Sequence, residues 1–198
     1  IRQLNGVGVD AAAYDAVVSS GDVSRALIAN WAGRSIRHIG PERDGALFDG
    51  IDVCRVSAAR ADAIVCTGLF DDETETPADY HAELAGLRGR DLEMICANPD
   101  LKVERGGRII YCAGAIAAAY ETIGGRVRYA GKPHRPIYDA AVQAAEQVRG
   151  ATLDRSRILA IGDGAGTDIE GARRFGIRSV FVASAVHVGA GETLASAA

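Results

Sequence analysis

Residues 158–168 read ILAIGDGAGTD: four apolar residues, then a turn that is rich in glycine and contains two aspartates. The apolar residues predict a buried strand, and residues 167–175 after the turn have the pattern of a helix that ends at Gly176. In open α/β sheets, ligands bind at the carboxyl ends of strands, which is where this turn lies. We therefore expect the functional site at this turn.

The two acidic residues of the turn, Asp163 and Asp168, predict a site for a divalent cation. Carboxylates so close together repel each other unless a cation or a proton lies between them. Their oxygens suit Mg²⁺, which also keeps waters and a phosphate oxygen among its ligands. The helix that begins near Thr167 offers backbone N–H groups to an anion, and Gly164 lets the backbone come close to it. The turn thus predicts a magnesium ion and a phosphate group together.

Two other interpretations of the turn remain open. It could be a structural glycine-rich turn in which Asp168 is only an acidic residue of the first helical turn. The spacing Gly162-x-Gly164-x-Gly166 also has a superficial likeness to the glycine patterns of dehydrogenases and methyltransferases, a weak signal by itself. Asp163 would put a negative charge where a pyrophosphate should lie, and only one βα unit follows the turn. Both points favour the metal site.

A second candidate residue is Lys132, in the sequence Gly131-Lys132-Pro133. It follows a predicted strand at residues 127–130 and precedes the clearest predicted helix, residues 136–149. One βα unit separates it from the turn at Asp163, and the carboxyl ends of neighbouring parallel strands converge. We therefore expect its ammonium group beside the aspartates, where it can neutralise charge on a phosphoryl group.

Strand-like and helix-like segments alternate along the whole chain, which predicts the α/β class with parallel sheets covered by helices. Ser20 and Thr76 are predicted to cap helices. Leu153 and residues 158–161 are expected in the core. The predicted strands are residues 16–18, 35–39, 52–56, 63–67, 92–97, 127–130, 157–161 and 178–182.

Composition excludes several function classes. The 198 residues carry a net charge of −4 and contain no long basic run, so we expect neither nucleic acid nor a membrane as a partner. The longest apolar stretch, residues 113–120, is too short to cross a bilayer. The four cysteines lack the spacing of metal ligands. They are expected to be reduced, buried thiols, which indicates a cytoplasmic location.

Together, Gly131-Lys132-Pro133 and Gly162-Asp163-x4-Asp168 resemble the third and fourth motifs of the haloacid dehalogenase-like superfamily. The residues around Ser19 and the segment Cys96-Ala97-Asn98-Pro99-Asp100 are similar to its class IIA branch of p-nitrophenylphosphatase-like and phosphoglycolate phosphatase-like enzymes. The resemblance implies a Rossmann-like parallel-sheet core, residues 1–33 and 131–198. It also implies an inserted α/β cap domain of the C2 type, residues 34–130.

The resemblance also implies a function. Enzymes of this branch hydrolyse small phosphomonoesters with Mg²⁺ through a phosphoaspartyl intermediate, and their caps often form homodimers. In this chain Lys132 would stabilise the intermediate, and Asp163 would bind the metal with Asp168 as a second ligand or as its orienter. Asn98 and Asp100 in the cap, together with Gly164, would contact the substrate. No role follows for His134.

The chain departs from the family pattern in one respect. No segment matches the first motif, which supplies the nucleophilic aspartate, or the second motif, a Ser or Thr after a strand. Residues 1–6 read as the last turn of a helix, so we expect an earlier part of the protein to be missing and the chain itself to be inactive. A nucleotide- or cofactor-binding enzyme and a non-catalytic binding protein remain as alternative hypotheses.

Overall fold

The structure of the chain is a computed structural model that describes Leu4, Gly6 and residues 8–183. The chain divides into two compact units. The first comprises the described parts of Ile1–Val18 and Lys132–Ala198, and the second is Ser19–Gly131. Within these residues, no helix is both long enough and apolar enough to cross a membrane. Both units contain parallel strands joined by helices, so the predicted α/β class is confirmed.

The second unit contains a five-stranded parallel sheet with the strand order β2-β1-β3-β4-β7. Its strands are β1 (Arg34–Ile39), β2 (Val53–Arg55), β3 (Ala63–Cys66), β4 (Glu93–Cys96) and β7 (Arg126–Tyr129). An antiparallel hairpin of β5 (Lys102–Arg105) and β6 (Arg108–Tyr111) lies between β4 and β7 in the sequence. The helices are α1 (Ser20–Ala29), α2 (His81–Gly89) and α3 (Ala113–Thr122), with 3₁₀ turns at Glu42–Phe48, Ala58–Arg60 and Pro77–Tyr80.

The core of this unit has two clusters, one on each face of the sheet. Successive strand residues point to opposite faces, so Ile64 and Val65 of β3 belong to different clusters. Ile64 packs in the cluster that contains residues of α2 and α3, and Val65 in the one that contains Ile28 of α1. The second unit is therefore a three-layer arrangement with helices on both faces.

The starts of two helical segments follow from capping boxes. Asp22 N–H donates to Ser19 Oγ at 3.2 Å, and Ser19 N–H donates to Asp22 Oδ2 at 2.8 Å, so the cap of α1 is Ser19 and not the predicted Ser20. Ahead of Pro77–Tyr80, the N-cap residue is Thr76, as predicted, and its N–H donates to Asp79 Oδ2 at 2.7 Å. These bonds satisfy backbone N–H groups that the first helical turn leaves without partners.

The division into units differs from the predicted domains at one boundary. The sequence placed residues 1–33 in one domain, whereas the second unit begins at Ser19. The reason is that α1 buries Ile28 completely in the cluster on one face of the five-stranded sheet. At the other boundary, the division falls after Gly131, one residue from the predicted limit of 130. That the second unit is a cap stays a prediction.

The first unit contains two parallel strands, β8 (Leu159–Gly162) and β9 (Arg178–Phe181). Its helices are α4 (Arg135–Arg149) and α5 (Glu170–Phe175), with 3₁₀ turns at Ala11–Ala13 and Arg155–Arg157 and a π-helical turn at Ala165–Ile169. The peptide bond between Lys132 and Pro133 is cis. The predicted strand at residues 16–18 is absent, because that segment pairs with no strand among the described residues.

The predicted burial of β8 is wrong. Leu159 is 49% exposed and Ile161 is 66% exposed, while Leu153, Ile158 and Ala160 are only partly buried. Within the described part of the first unit, β8 is hydrogen-bonded to β9 alone. In this two-stranded sheet, neighbouring strands and helices cover too little of β8 to bury these side chains. Apolar composition predicted the strand, but burial depends on the layers around it.

Candidate active site

The site is built around the turn that connects β8 to the π-helical turn. The turn is closed by backbone bonds: the N–H groups of Asp168 and Ile169 donate to the carbonyl of Gly164 at 2.8 and 3.2 Å. The Gly164 N–H in turn donates to Asp168 Oδ2 at 3.0 Å. The carboxylate of Asp168 is thereby fixed at the carboxyl end of β8.

Lys132 reaches this turn from the segment that precedes α4. Its Nζ donates to Asp168 Oδ1 at 2.6 Å, across 36 residues of sequence. The side chain of Asp168 is 15% exposed, whereas that of Lys132 is 48% exposed. The Asp168 side chain is therefore largely shielded from water, while the Lys132 side chain remains partly open to solvent. Lys132 therefore contacts the turn that contains the two aspartates, as the sequence predicts.

The charge state of Asp168 follows from these contacts. Burial raises the pKa of its carboxyl group, but the hydrogen bonds from Lys132 and Gly164 and the positive charge of Lys132 lower it more. The net pKa of Asp168 lies below its ordinary value, so the carboxylate is ionised at neutral pH. Because both of its oxygens accept hydrogen bonds, Asp168 is suited to holding Lys132 in place.

Two glycines of the turn have no room for a side chain. A Cβ atom at position 162 would overlap the carboxylate of Asp168, and one at position 164 would overlap the hydroxyl of Thr167. By contrast, a Cβ at Gly166 would meet nothing within 4 Å. Gly162 and Gly164 therefore allow the Asp168 side chain to lie directly against the backbone of the turn.

The sequence analysis missed Tyr138 of α4. Its hydroxyl lies 3.4 Å from the carbonyl oxygen of Thr167 and 3.3 Å from that of Asp168. Its ring stacks on Phe175 of α5 with the centroids 5.2 Å apart. Tyr138 thus ties α4 to the π-helical turn and to α5. A tyrosine within an amphipathic helix carries no distinctive signal, so sequence reasoning had no ground on which to select it.

The other predicted site residues fall into two groups. Asp163 is exposed and immediately follows β8, on the same turn as Gly164 and Asp168. Asn98 and Asp100 belong to the second unit, where Asn98 Oδ1 accepts the backbone N–H of Asp100 at 3.1 Å and shapes the loop after β4. Their contact with a substrate stays a prediction. His134 is the N-cap residue of α4.

The donor set of the turn fits a magnesium ion. Within the described ranges, no three His, Cys, Asp or Glu side chains converge into a metal-binding group. Mg²⁺ does not require such a group, because it is usually held by one or two carboxylates together with waters and substrate phosphate. Asp163 fits as a ligand because it is an exposed carboxylate at the carboxyl end of β8, on the same turn as Asp168.

Comparisons with known proteins show which proteins this chain is similar to. A family model described as HAD-like hydrolase matches residues 129–196, which include Lys132, Asp163 and Asp168. No curated protein sequence gives a significant match to the chain.

Solved structures extend the similarity beyond that region. A haloacid dehalogenase-like hydrolase from Brucella suis 1330 is 54% identical with a TM-score of 0.82, over 92% of this chain and 69% of its own. A glycerol phosphate phosphatase from Mycobacterium tuberculosis, in complex with magnesium, is 26% identical with a TM-score of 0.61; the match covers 89% of this chain and 53% of that enzyme. A p-nitrophenyl phosphatase from Archaeoglobus fulgidus shares the fold, with 19% identity, a TM-score of 0.65 and coverage of 91% and 68%.

Proposed function

This chain belongs to the haloacid dehalogenase-like family of hydrolases, and on that premise we propose that the intact protein is a magnesium-dependent phosphatase of small phosphomonoesters. The observation that carries the proposal is the contact between Lys132 and Asp168 at the carboxyl end of β8. It brings a cation to a turn that carries two aspartates, which is the charge arrangement that a bound phosphoryl group and a divalent ion require. The glycerol phosphate phosphatase and p-nitrophenyl phosphatase among the similar structures support the same reaction class.

We assign the roles from the contacts of each side chain. Asp163 would hold the magnesium ion, which would supply positive charge to neutralise a phosphoryl oxygen. Asp168 positions Lys132 through their ion pair, in which Lys132 Nζ donates to Asp168 Oδ1. The exposed side of the Lys132 ammonium would then stabilise negative charge on the phosphoryl group and on the aspartyl phosphate. The Gly164 N–H is donated to Asp168 Oδ2, so other backbone N–H groups of the turn beside it would contact a phosphate oxygen.

The source of the nucleophile is part of the proposal. No segment of the 198-residue sequence has the family's first motif, so we propose that a part of the protein outside this sequence supplies the attacking aspartate. The exposure of β8 and its single neighbouring strand support this proposal. Ile161 is 66% exposed, and among the described residues β8 has a single hydrogen-bonded neighbour, β9. A further strand beside β8 would bring a carboxylate at its end next to Asp163.

The alternative functions fit the geometry less well. A nucleotide- or cofactor-binding enzyme built on the glycine turn needs space for a pyrophosphate beside Gly162 and Gly164. The Asp168 carboxylate fills that space, and it is held there by Lys132. A non-catalytic binding protein with the same fold would keep these contacts, and a kinetic experiment separates it from an enzyme.

The experiment measures hydrolysis of p-nitrophenyl phosphate by the intact protein and by the 198-residue chain, each with Mg²⁺ and with EDTA. We expect turnover only for the intact protein with Mg²⁺. Lys132→Ala in the intact protein should lower kcat about 100-fold or more, the usual effect of losing a group that stabilises transition-state charge. Lys102, the other lysine of the chain, is the matched control, and Lys102→Ala should leave kcat unchanged.

Two results would count against this account. An intact protein without magnesium-dependent turnover would refute the phosphatase. Turnover by the 198-residue chain alone would refute the external nucleophile.

A further inference from the structure

The sheet of the second unit has a topology that predicts a ligand site of its own. Its order is β2-β1-β3-β4-β7, with all strands parallel. The strand that follows β1 in the sequence, β2, lies on one side of β1, and the next strand, β3, lies on its other side. The order in which strands are added to the sheet therefore reverses between β1 and β3. In open parallel sheets, ligands bind outside the carboxyl ends of the strands at such a reversal.

A cavity of about 450 Å³ lies at this place. Its walls come from residues at or after the ends of β1, β2 and β3, all within the second unit: His38, Gly40 and Glu42; Arg55 and Arg60; and Phe70. The volume is in the range of roughly 300–1,000 Å³ that is common for small-molecule sites. Topology and cavity thus point to the same position independently.

The charge of the cavity is positive. Arg37, Arg55 and Arg60 line it, with Glu42 as the one acidic residue of the lining. Arg37 is paired with Glu83 at 2.5 Å, and Arg55 makes a longer contact of 3.4 Å with Glu42. Arg60 is exposed, and its guanidinium group makes no hydrogen bond or ion pair with any residue that the structure describes. An unneutralised guanidinium group therefore remains for a ligand.

One wall of the cavity, at His38 and Gly40, is held by close contacts with neighbouring residues. His38 is 6% exposed, its Nε2 lies 3.0 Å from Thr67 Oγ1, and its ring packs edge-on against Phe48. Gly40 has a φ of 150°, and a Cβ there would overlap the Thr67 hydroxyl. The backbone after β1 therefore comes closer to β3 than a side chain at position 40 would allow. Such a fixed wall suits a preformed site.

We propose that this cavity binds the phosphate group of a small phosphorylated molecule. Guanidinium groups match the oxygens of phosphate in paired hydrogen bonds, and several arginines around one pocket suit a doubly charged anion. The volume leaves room for an organic group next to the phosphate. The site lies wholly in the second unit and does not depend on the proposed phosphatase activity.

The test titrates the full 198-residue chain, in EDTA and at low ionic strength, with inorganic phosphate and with phenylphosphonate, and follows backbone amide NMR signals. We expect saturable shifts at Gly40 and Ser57, because both residues line the cavity. Stronger binding of the phosphonate would identify an organic phosphate as the ligand class, and stronger binding of inorganic phosphate would identify the free ion. Either supports a phosphate site.

Arg60→Gln should weaken binding about tenfold, the effect of losing one charge-assisted contact, and Arg60→Glu should abolish it. Both changes are at an exposed position, so folding should be preserved. Arg126→Gln is the matched control, since Arg126 is an exposed arginine at the start of β7, the opposite edge of the same sheet. The proposal is overturned if neither probe shifts Gly40 and Ser57, if shifts occur only near Gly164, or if the Arg126 variant loses as much affinity as the Arg60 variant.

Discussion

At the scale of residues, the site depends on a carboxylate side chain that lies directly against the backbone of the turn. Asp168 is largely shielded from water because Gly162 and Gly164 leave space for it, and it is ionised because Lys132 and a backbone N–H bind its two oxygens. A carboxylate held by fixed donors does not need to reorganise when a substrate binds. The geometry of the site therefore depends on the two glycines as well as on the charged groups.

Substitution of Gly162 tests this close packing. Gly162→Ala puts a Cβ into the Asp168 carboxylate, so either the turn or Asp168 must move. Overpacking of this kind costs about 1–3 kcal/mol of unfolding free energy. Gly166→Ala, in the same turn with nothing within 4 Å, should change stability by less than about 0.5 kcal/mol. Urea unfolding of both variants is the measurement, and equal effects would contradict the packing.

The pH dependence of stability is a prediction about His38. Burial, and then the positive charges of Arg55 and Arg37, lower its pKa, while Asp44 and Glu42 raise it less. The unfolded chain therefore binds a proton near pH 6.5 that the folded chain does not bind until lower pH. Stability should fall as the pH drops below about 6.5, with a slope of at most about 1.4 kcal/mol per pH unit from this group.

His38→Gln should flatten this part of the profile, measured as urea unfolding between pH 8 and pH 5. His81→Gln, at an exposed histidine of α2, is the control and should keep the wild-type slope. A wild-type slope in the His38 variant would show that another group is responsible.

Residue patterns predicted one of these sites and not the other. Asp163, Asp168 and Lys132 stand out because charged residues follow apolar strands at glycine-rich turns. Arg37, Arg55 and Arg60 are ordinary surface residues in the sequence, since nothing marks them as neighbours. Only the parallel pairing of β1 with β2 and β3 brings them to one cavity.

At the scale of elements, the boundaries follow from caps and turns. The capping box of Ser19 and Asp22 begins α1 one residue earlier than the sequence suggested. Ser19→Ala removes the acceptor for Asp22 N–H and should destabilise the protein by about 1 kcal/mol. Ser20→Ala is a control at the adjacent serine and should have a much smaller effect. Thermal unfolding compares them, and a larger loss for Ser20→Ala would contradict the assignment of the cap.

The hairpin of β5 and β6 is the element that sequence reasoning missed. Its first strand, Lys102–Arg105, has three charged residues out of four, and these three side chains are exposed. The segment therefore has no apolar periodicity from which a strand could be predicted. The turn at Gly106 and Gly107, both with positive φ, was the available signal. The helices and the buried parallel strands were predicted because their apolar residues follow the expected periods.

At the scale of the whole molecule, the chain consists of two α/β units, and the second is inserted into the first. Alternating strands and helices predict the fold class but not which sheet each strand joins. Sequence patterns therefore predict a boundary at residue 33, whereas the second unit begins at Ser19, and a buried β8, whereas Leu159 and Ile161 are exposed. Local sequence patterns determine elements, whereas their assignment to a unit depends on contacts between residues distant in sequence, such as Ile28 with β1, β3 and β4.

The central claim is that Asp163, on the turn after β8, holds the metal ion of a phosphatase. The most direct measurement is the initial rate of p-nitrophenyl phosphate hydrolysis by the intact protein with Asp163→Asn, over a range of Mg²⁺ concentrations. The comparison is Asp154→Asn, at an exposed aspartate of the same unit that only caps a 3₁₀ turn. We expect the rate of the Asp163→Asn variant to be at least about 100-fold lower than that of the unsubstituted protein. The rate of the Asp154→Asn variant should be near normal. A normal, magnesium-dependent rate in the Asp163 variant would contradict it.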